Sequence, residues 1–274
     1  MSLSNPLTID WQQLLLAIMR NCTLLILMPL GFAALLTVIN RSTKTRLARW
    51  WPRSQIVIGG LGTIIHELSH ALFCFIFNHQ ITDMQLLNRN LNDSNDHSLG
   101  HVEHRYRSGR LWPIIGNFWI GLAPIFGCSA AILGLTWLLA RNTFQTWLTF
   151  AEEPIWQWQA VKPLFSQLLT TTKPSLLLIW LILCGMIAIG GFDLSKADYR
   201  GMIPGIIATL IVIIGGTFIA SLFNQTTSGT SWLLTILTPL MVILTIVVLL
   251  SLISWLIVAT LLKMPQRSRY HARH

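Results

Sequence analysis

Residues 55–77, QIVIGGLGTIIHELSHALFCFIF, form an apolar run long enough to cross a bilayer, and three ionisable side chains stand inside it. Hydrocarbon offers no water to satisfy an open backbone, so a run of this kind spans a membrane as a helix. Each ionisable side chain at that depth costs on the order of 3 kcal/mol on insertion scales. His66, Glu67 and His70 therefore need a reason to be there. Residues four apart lie one above the other on a helix face. His66 and His70 can thus present both imidazoles to one metal ion, with Glu67 on the neighbouring face. This is the HExxH pattern, in which two ligands hold a metal and a carboxylate takes a proton from water. A chain with eight His and four Glu would contain it by chance about 0.003 times. The plainer alternative is a His pair bonded to neighbouring helices with Glu67 in a polar pocket. Intramembrane ionisable residues mark functional sites by default, which favours the metal.

Composition agrees with a membrane setting. Only 11% of the 274 residues are charged and 53% are hydrophobic, against roughly 25% charged in soluble domains. The formal charge of +9 sits in short connectors between apolar runs, where lipid headgroups are the natural counter-charge and no nucleic acid is expected. Cys22, Cys74, Cys128 and Cys184 all fall in apolar runs without a CxxC pair, so small buried hydrophobes are expected. Residues 1–11 lack a basic stretch and contain Asp10, and no cleavable signal peptide is expected.

Taken in order, the first apolar run covers residues 14–39, interrupted early by Arg20 and Asn21. Residues 41–53 hold five cations and no acid and end in Trp50-Trp51-Pro52, which predicts a headgroup-facing connector with an aromatic anchor. After the HExxH helix, residues 78–110 are polar. Their tip is turn-rich, and alternation over 81–87 and 99–106 permits a β-hairpin. His101 and His104, three apart on a strand, would face opposite ways and are expected to be ordinary polar loop residues. Residues 111–140 form a second long apolar run, which Pro124 is expected to kink or interrupt. Asn117 is its one strongly polar side chain, either cross-linking helices or facing an active cavity. Residues 141–174 mix aromatics with charges and suggest an interfacial segment. Two further spans, 175–191 and 202–223, flank a Gly-bounded break carrying Asp193 and Asp198. Such a break can line a cavity and bring a carboxylate to the plane of HExxH, or it can be a plain turn. A polar loop at 224–230, a span at 232–262 and a basic tail at 263–274 complete the chain. The expected fold is an all-α polytopic membrane protein of about six transmembrane segments, in one domain over 1–274 with its core at 54–223. The balance of Lys and Arg between connectors leans to both termini being cytoplasmic.

Six apolar segments with HExxH inside one resemble the site-2-protease class of zinc intramembrane metallopeptidases, in particular its small bacterial membrane peptidases. The phrases that carry the resemblance are GxxxHELSHALF at 62–73, GNFxIGxAPIFG at 116–127 and LSxADxxG at 194–201. The resemblance implies Zn²⁺ held by His66, His70 and Asp198, with Asp193 in reserve, Glu67 as the catalytic carboxylate and Asn117 in substrate positioning. It also implies a transmembrane protein or peptide as substrate and a bacterial inner membrane as setting. The class's Asn-Pro…Leu-Asp-Gly phrase is absent, and no connector is long enough for a PDZ-like insertion.

Three protein ligands would leave one zinc position open to water, the catalytic arrangement. A prenyl-protein-processing type of metallopeptidase would use a later Glu as third ligand, and none follows Glu153. A catalytically inactive scaffold would not need Glu67. The Gly-rich helices and the polar loop at 78–110 are expected to offer a cleft and an edge for an extended substrate.

Overall fold

The computed structural model describes residues 10–51, 53–88, 99–152, 157–223 and 226–262. Six of its helices are long and apolar enough to cross a membrane, and the only sheet among the described residues is one hairpin. The chain is an all-α polytopic membrane protein.

Helix α1 (Trp11–Cys22) runs through a π-helical turn (Thr23–Leu27) into α2 (Met28–Trp50), making one 40-residue rod. The wide turn precedes Pro29, whose ring would collide with the carbonyl four residues back in a regular helix. The expected connector at 41–53 is therefore mostly helix. Its cations do not all face headgroups: Arg41 and Lys44 turn onto Asp193. Trp50 and Trp51 remain exposed at the rod's end, as an interfacial anchor requires.

Helix α3 (Ser54–Ile76) carries HELSH and stops at Asn78, the one described non-glycine residue at positive φ (58°). His79 N–H reaches Cys74 O (2.8 Å) and Asn78 N–H reaches Phe75 O (3.2 Å), the paired bonds of a Schellman cap. Asn tolerates the left-handed conformation better than most side chains. The cap turns the chain into β1 (Gln80–Gln85), which pairs antiparallel with β2 (His101–Arg105), with an irregularity between Ile81 and Asp83. The hairpin lies where alternation predicted it, and the turn-rich tip at 89–98 lies outside the described residues.

Helix α4 (Leu111–Leu139) continues through Pro124, so of the two expected effects, a kink or an interruption, the interruption does not occur. Its Phe118, Leu122, Ile125 and Cys128 are buried against neighbours that include Trp180 and Cys184 of α7 (Pro174–Gly191) and Met202 of α8 (Lys196–Leu222). The stretch expected to be interfacial forms α5 (Arg141–Glu152) and α6 (Trp158–Thr171), joined where Trp147 Nε1–H donates to Leu164 O at 2.9 Å. Helix α9 (Thr226–Leu261) already begins at Thr226, so most of the expected loop at 224–230 is helical. The tail at 263–274 lies outside the described residues. The four cysteines are unpaired, and three are buried.

Helices α3 and α7 meet with no room for side chains. A Cβ on Gly62 would lie 2.5 Å from Gly191 N and 2.7 Å from Met186 O. This approach brings the carbonyl end of α7 to His66.

Candidate metal centre

His66, Glu67 and His70 are all buried on α3, which packs between α4 and α7. His66 Nδ1 lies 2.8 Å from Gly191 O, and His70 Nδ1 lies 2.8 Å from Ile120 O. A carbonyl only accepts, so each Nδ1 carries a proton, and in the neutral ring each Nε2 presents a bare lone pair. The two Nε2 atoms face each other at 3.1 Å.

Both carbonyls are available because of helix chemistry. Gly191 is the last residue of α7, where carbonyls have no donor one turn on. Ile120 sits four residues before Pro124, which has no N–H to give it. The proline thus leaves the helix intact and frees the acceptor that fixes His70.

Asp198 closes the third side. Its Oδ1 is 3.3 Å from His70 Nε2, and its Oδ2 is 4.0 Å from His66 Nε2. A capping box at the start of α8 holds the carboxylate: Ser195 N–H donates to Asp198 Oδ2 (2.6 Å) and Asp198 N–H to Ser195 Oγ (3.1 Å). Ser-x-x-Asp before an apolar run carries that signal in the sequence. His66, His70 and Asp198 offer ligand atoms within 4.8 Å of one another, the one such group among the described residues. Tetrahedral zinc, with bonds of 2.0–2.1 Å, sets donor atoms about 3.3 Å apart. The residues fit the ion: two converging neutral imidazoles repel lone pair to lone pair until a cation stands between them.

Asp193, the reserve ligand, is engaged elsewhere. It accepts from Arg41 Nη2 (3.1 Å) and Lys44 Nζ (3.3 Å). The same cations donate to Leu194 O (2.9 Å) and Gly190 O (3.2 Å), while Leu194 N–H donates to Thr37 Oγ1 at 3.2 Å. Side chains of α2 thereby satisfy the open backbone between α7 and α8. Sequence reasoning missed this role, since cations beside Trp-Trp-Pro have the pattern of a headgroup contact.

Glu67 lines a cavity of about 300 Å³ together with His66, Lys44, Gln55 and Gly100. A Cβ on Gly100 would come within 2.8 Å of Glu67 Cγ, so the hairpin backbone lies directly over the carboxylate. Asn117 and Asp198 line a second cavity of about 110 Å³, beside His70. Asn117 bonds within its own helix, to Ile114 O (3.2 Å) and Pro113 O (3.5 Å), rather than across helices.

His101 and His104 diverge as strand alternation predicted. His101 pairs with Asp83 at 2.9 Å, and that hydrogen bond holds the Asp83 carboxyl below its usual range. His104 is no ordinary loop residue: it bonds His79 and lines the second cavity. Compared with known proteins, the chain matches no protein-family model, no curated protein and no solved structure.

Proposed function

We propose that the chain is a zinc-dependent intramembrane endopeptidase that hydrolyses a peptide bond of a membrane-embedded protein or peptide. One observation carries the reading: two buried Nε2 lone pairs converge at 3.1 Å beside Asp198, with Glu67 adjacent in sequence, within a six-span bundle. Zinc, if held there by His66, His70 and Asp198, would supply Lewis-acid polarisation of the scissile carbonyl and lower the pKa of a water towards about 7. The Gly191 and Ile120 carbonyls fix the Nδ1–H tautomer of both imidazoles and aim them. Glu67 accepts the proton of the attacking water on a carboxylate oxygen and passes it to the leaving amide nitrogen. The substrate has to be extended at the scissile bond, because helical hydrogen bonds shield its carbonyls. Among the described residues the hairpin has two strands, so each strand has an outer edge that such a segment can join. The setting is the lipid bilayer, and by resemblance a bacterial inner membrane.

The test is cleavage in reconstituted vesicles of a panel of single-span proteins with fluorescent tails. Zinc-loaded protein should cut at least one, a chelator should stop it, and Glu67→Gln should slow it by about 10²–10⁴-fold. Cutting that survives Glu67→Gln would overturn the mechanism. Binding of the panel without cutting would favour the scaffold reading.

A further inference from the structure

The cavity of about 110 Å³ lies against His70 and Asp198 and is not lined by Glu67. Its remaining wall is small and mostly apolar, with Val102, Ile120, Gly121, Ala197 and Gly201. Two polar groups in it, His104 and Asn117, have no part in the ligand set.

The protonation pattern of His104 follows from its neighbours. His79 Nε2 lies 2.8 Å from Pro113 O, so that nitrogen carries a proton and donates. The neutral ring then has a bare Nδ1, which faces His104 Nδ1 at 2.9 Å. One proton is needed on that contact, and it sits on His104 Nδ1. His104 Nε2 is left as a fixed acceptor with no protein partner among the described residues. Tyr106 stacks on His79 with ring centroids 4.9 Å apart, and the Schellman cap at Asn78 sets the backbone of His79, so the pair is braced on two sides. Asn117 commits its Nδ2 to helix carbonyls, which leaves Oδ1 as its free acceptor. With the Asp198 carboxylate, the polar wall consists of acceptors. Acceptors enclosed by apolar surface call for donors from the occupant.

We infer that this cavity is a donor-binding subsite of the metal centre, in which His104 Nε2 and Asn117 Oδ1 receive main-chain N–H groups of the bound peptide. The inference rests on the endopeptidase reading. An extended peptide held by its carbonyl at the metal presents N–H groups next to that carbonyl, and the small lining residues admit a backbone. Glu67 then serves the water, and His104 holds the chain being cut. His79 acts through His104 and is a positioning residue.

The probe is a tripeptide hydroxamate of leucine and alanine, compared with versions N-methylated at each amide in turn. Binding to detergent-purified, zinc-loaded protein is followed by calorimetry, and zinc content is measured alongside. In the wild type, methylation at one amide should weaken binding by about tenfold, the size of one hydrogen bond. In His104→Phe the same methylation should change affinity less than twofold, with zinc content unchanged. His104→Ala, which has no side-chain acceptor and adds no apolar bulk, should behave alike if the Phe variant folds poorly. A methylation penalty that is absent in the wild type, or that persists in the His104 variants, overturns the inference and leaves the endopeptidase reading standing. Failure of the wild type to bind zinc or any hydroxamate overturns that reading, and the subsite with it.

Discussion

Pro124 shows how one residue serves both helix and site. Its missing N–H leaves Ile120 O to His70, so Pro124→Ala restores a competing donor one turn away. We expect zinc affinity to fall by about 10–100-fold, the usual effect of removing a ligand's hydrogen-bond partner. The metal-free protein should melt no lower, because alanine is the better helix former by up to about 3 kcal/mol. Zinc titration beside thermal melting separates the two effects; equal affinity would mean that the carbonyl does not position the ring. Asp193 and Asp198 make a second contrast. Asp193→Asn should keep the metal and lower stability by about 1.5–3 kcal/mol, since it weakens charge-assisted bonds to Arg41 and Lys44. Chemical denaturation in detergent measures this. Spacing alone could not choose between the two carboxylates, because the choice is made by cations on α2, some 150 residues earlier in the chain.

Among the elements, the α3–α7 contact tolerates least. Gly62→Leu would drive a side chain into the Gly191 and Met186 backbone, which cannot swing aside as a flexible side chain can. Overpacking of this kind costs about 1–3 kcal/mol or more, and it lies one turn before His66. A lowered melting temperature together with lost zinc is expected; an unchanged melting curve would contradict the packing. The hairpin should respond to pH. Burial, then the neighbouring His79, hold the His104 imidazole down at about 4, and burial also lowers His79. An undocked hairpin would protonate both near the ordinary value of about 6.5. Between roughly pH 6.5 and 4 the undocked form binds more protons, so docking is full above that window and weakens as pH falls through it. Amide exchange across β1 and β2, corrected for intrinsic rates, should accelerate in that window, and His104→Asn should flatten the response. The spans, the hairpin and HExxH were readable in the sequence because apolar length, alternation and i, i+4 spacing are local properties. The helical continuation of α2 was not, because its cations answer a carboxylate on a distant loop. The same holds for His104, whose role depends on a ring and a carbonyl brought to it by the fold.

In the whole molecule, the candidate metal centre sits where α3 meets α4, α7 and the first turn of α8. Each neighbour contributes one thing: a carbonyl from α4, a carbonyl from α7, a carboxylate from α8. Helix α2 holds the break that lets α7 end and α8 begin beside HELSH. The most direct measurement is zinc content per chain of detergent-purified protein, wild type beside His66→Ala, Glu67→Gln, Asp193→Asn and Asp198→Asn. One zinc in the wild type, retained by Glu67→Gln and Asp193→Asn and lost or much weakened by His66→Ala and Asp198→Asn, is the expected result. A wild type that binds no zinc, or one whose zinc is indifferent to His66 and Asp198, would contradict the metal centre.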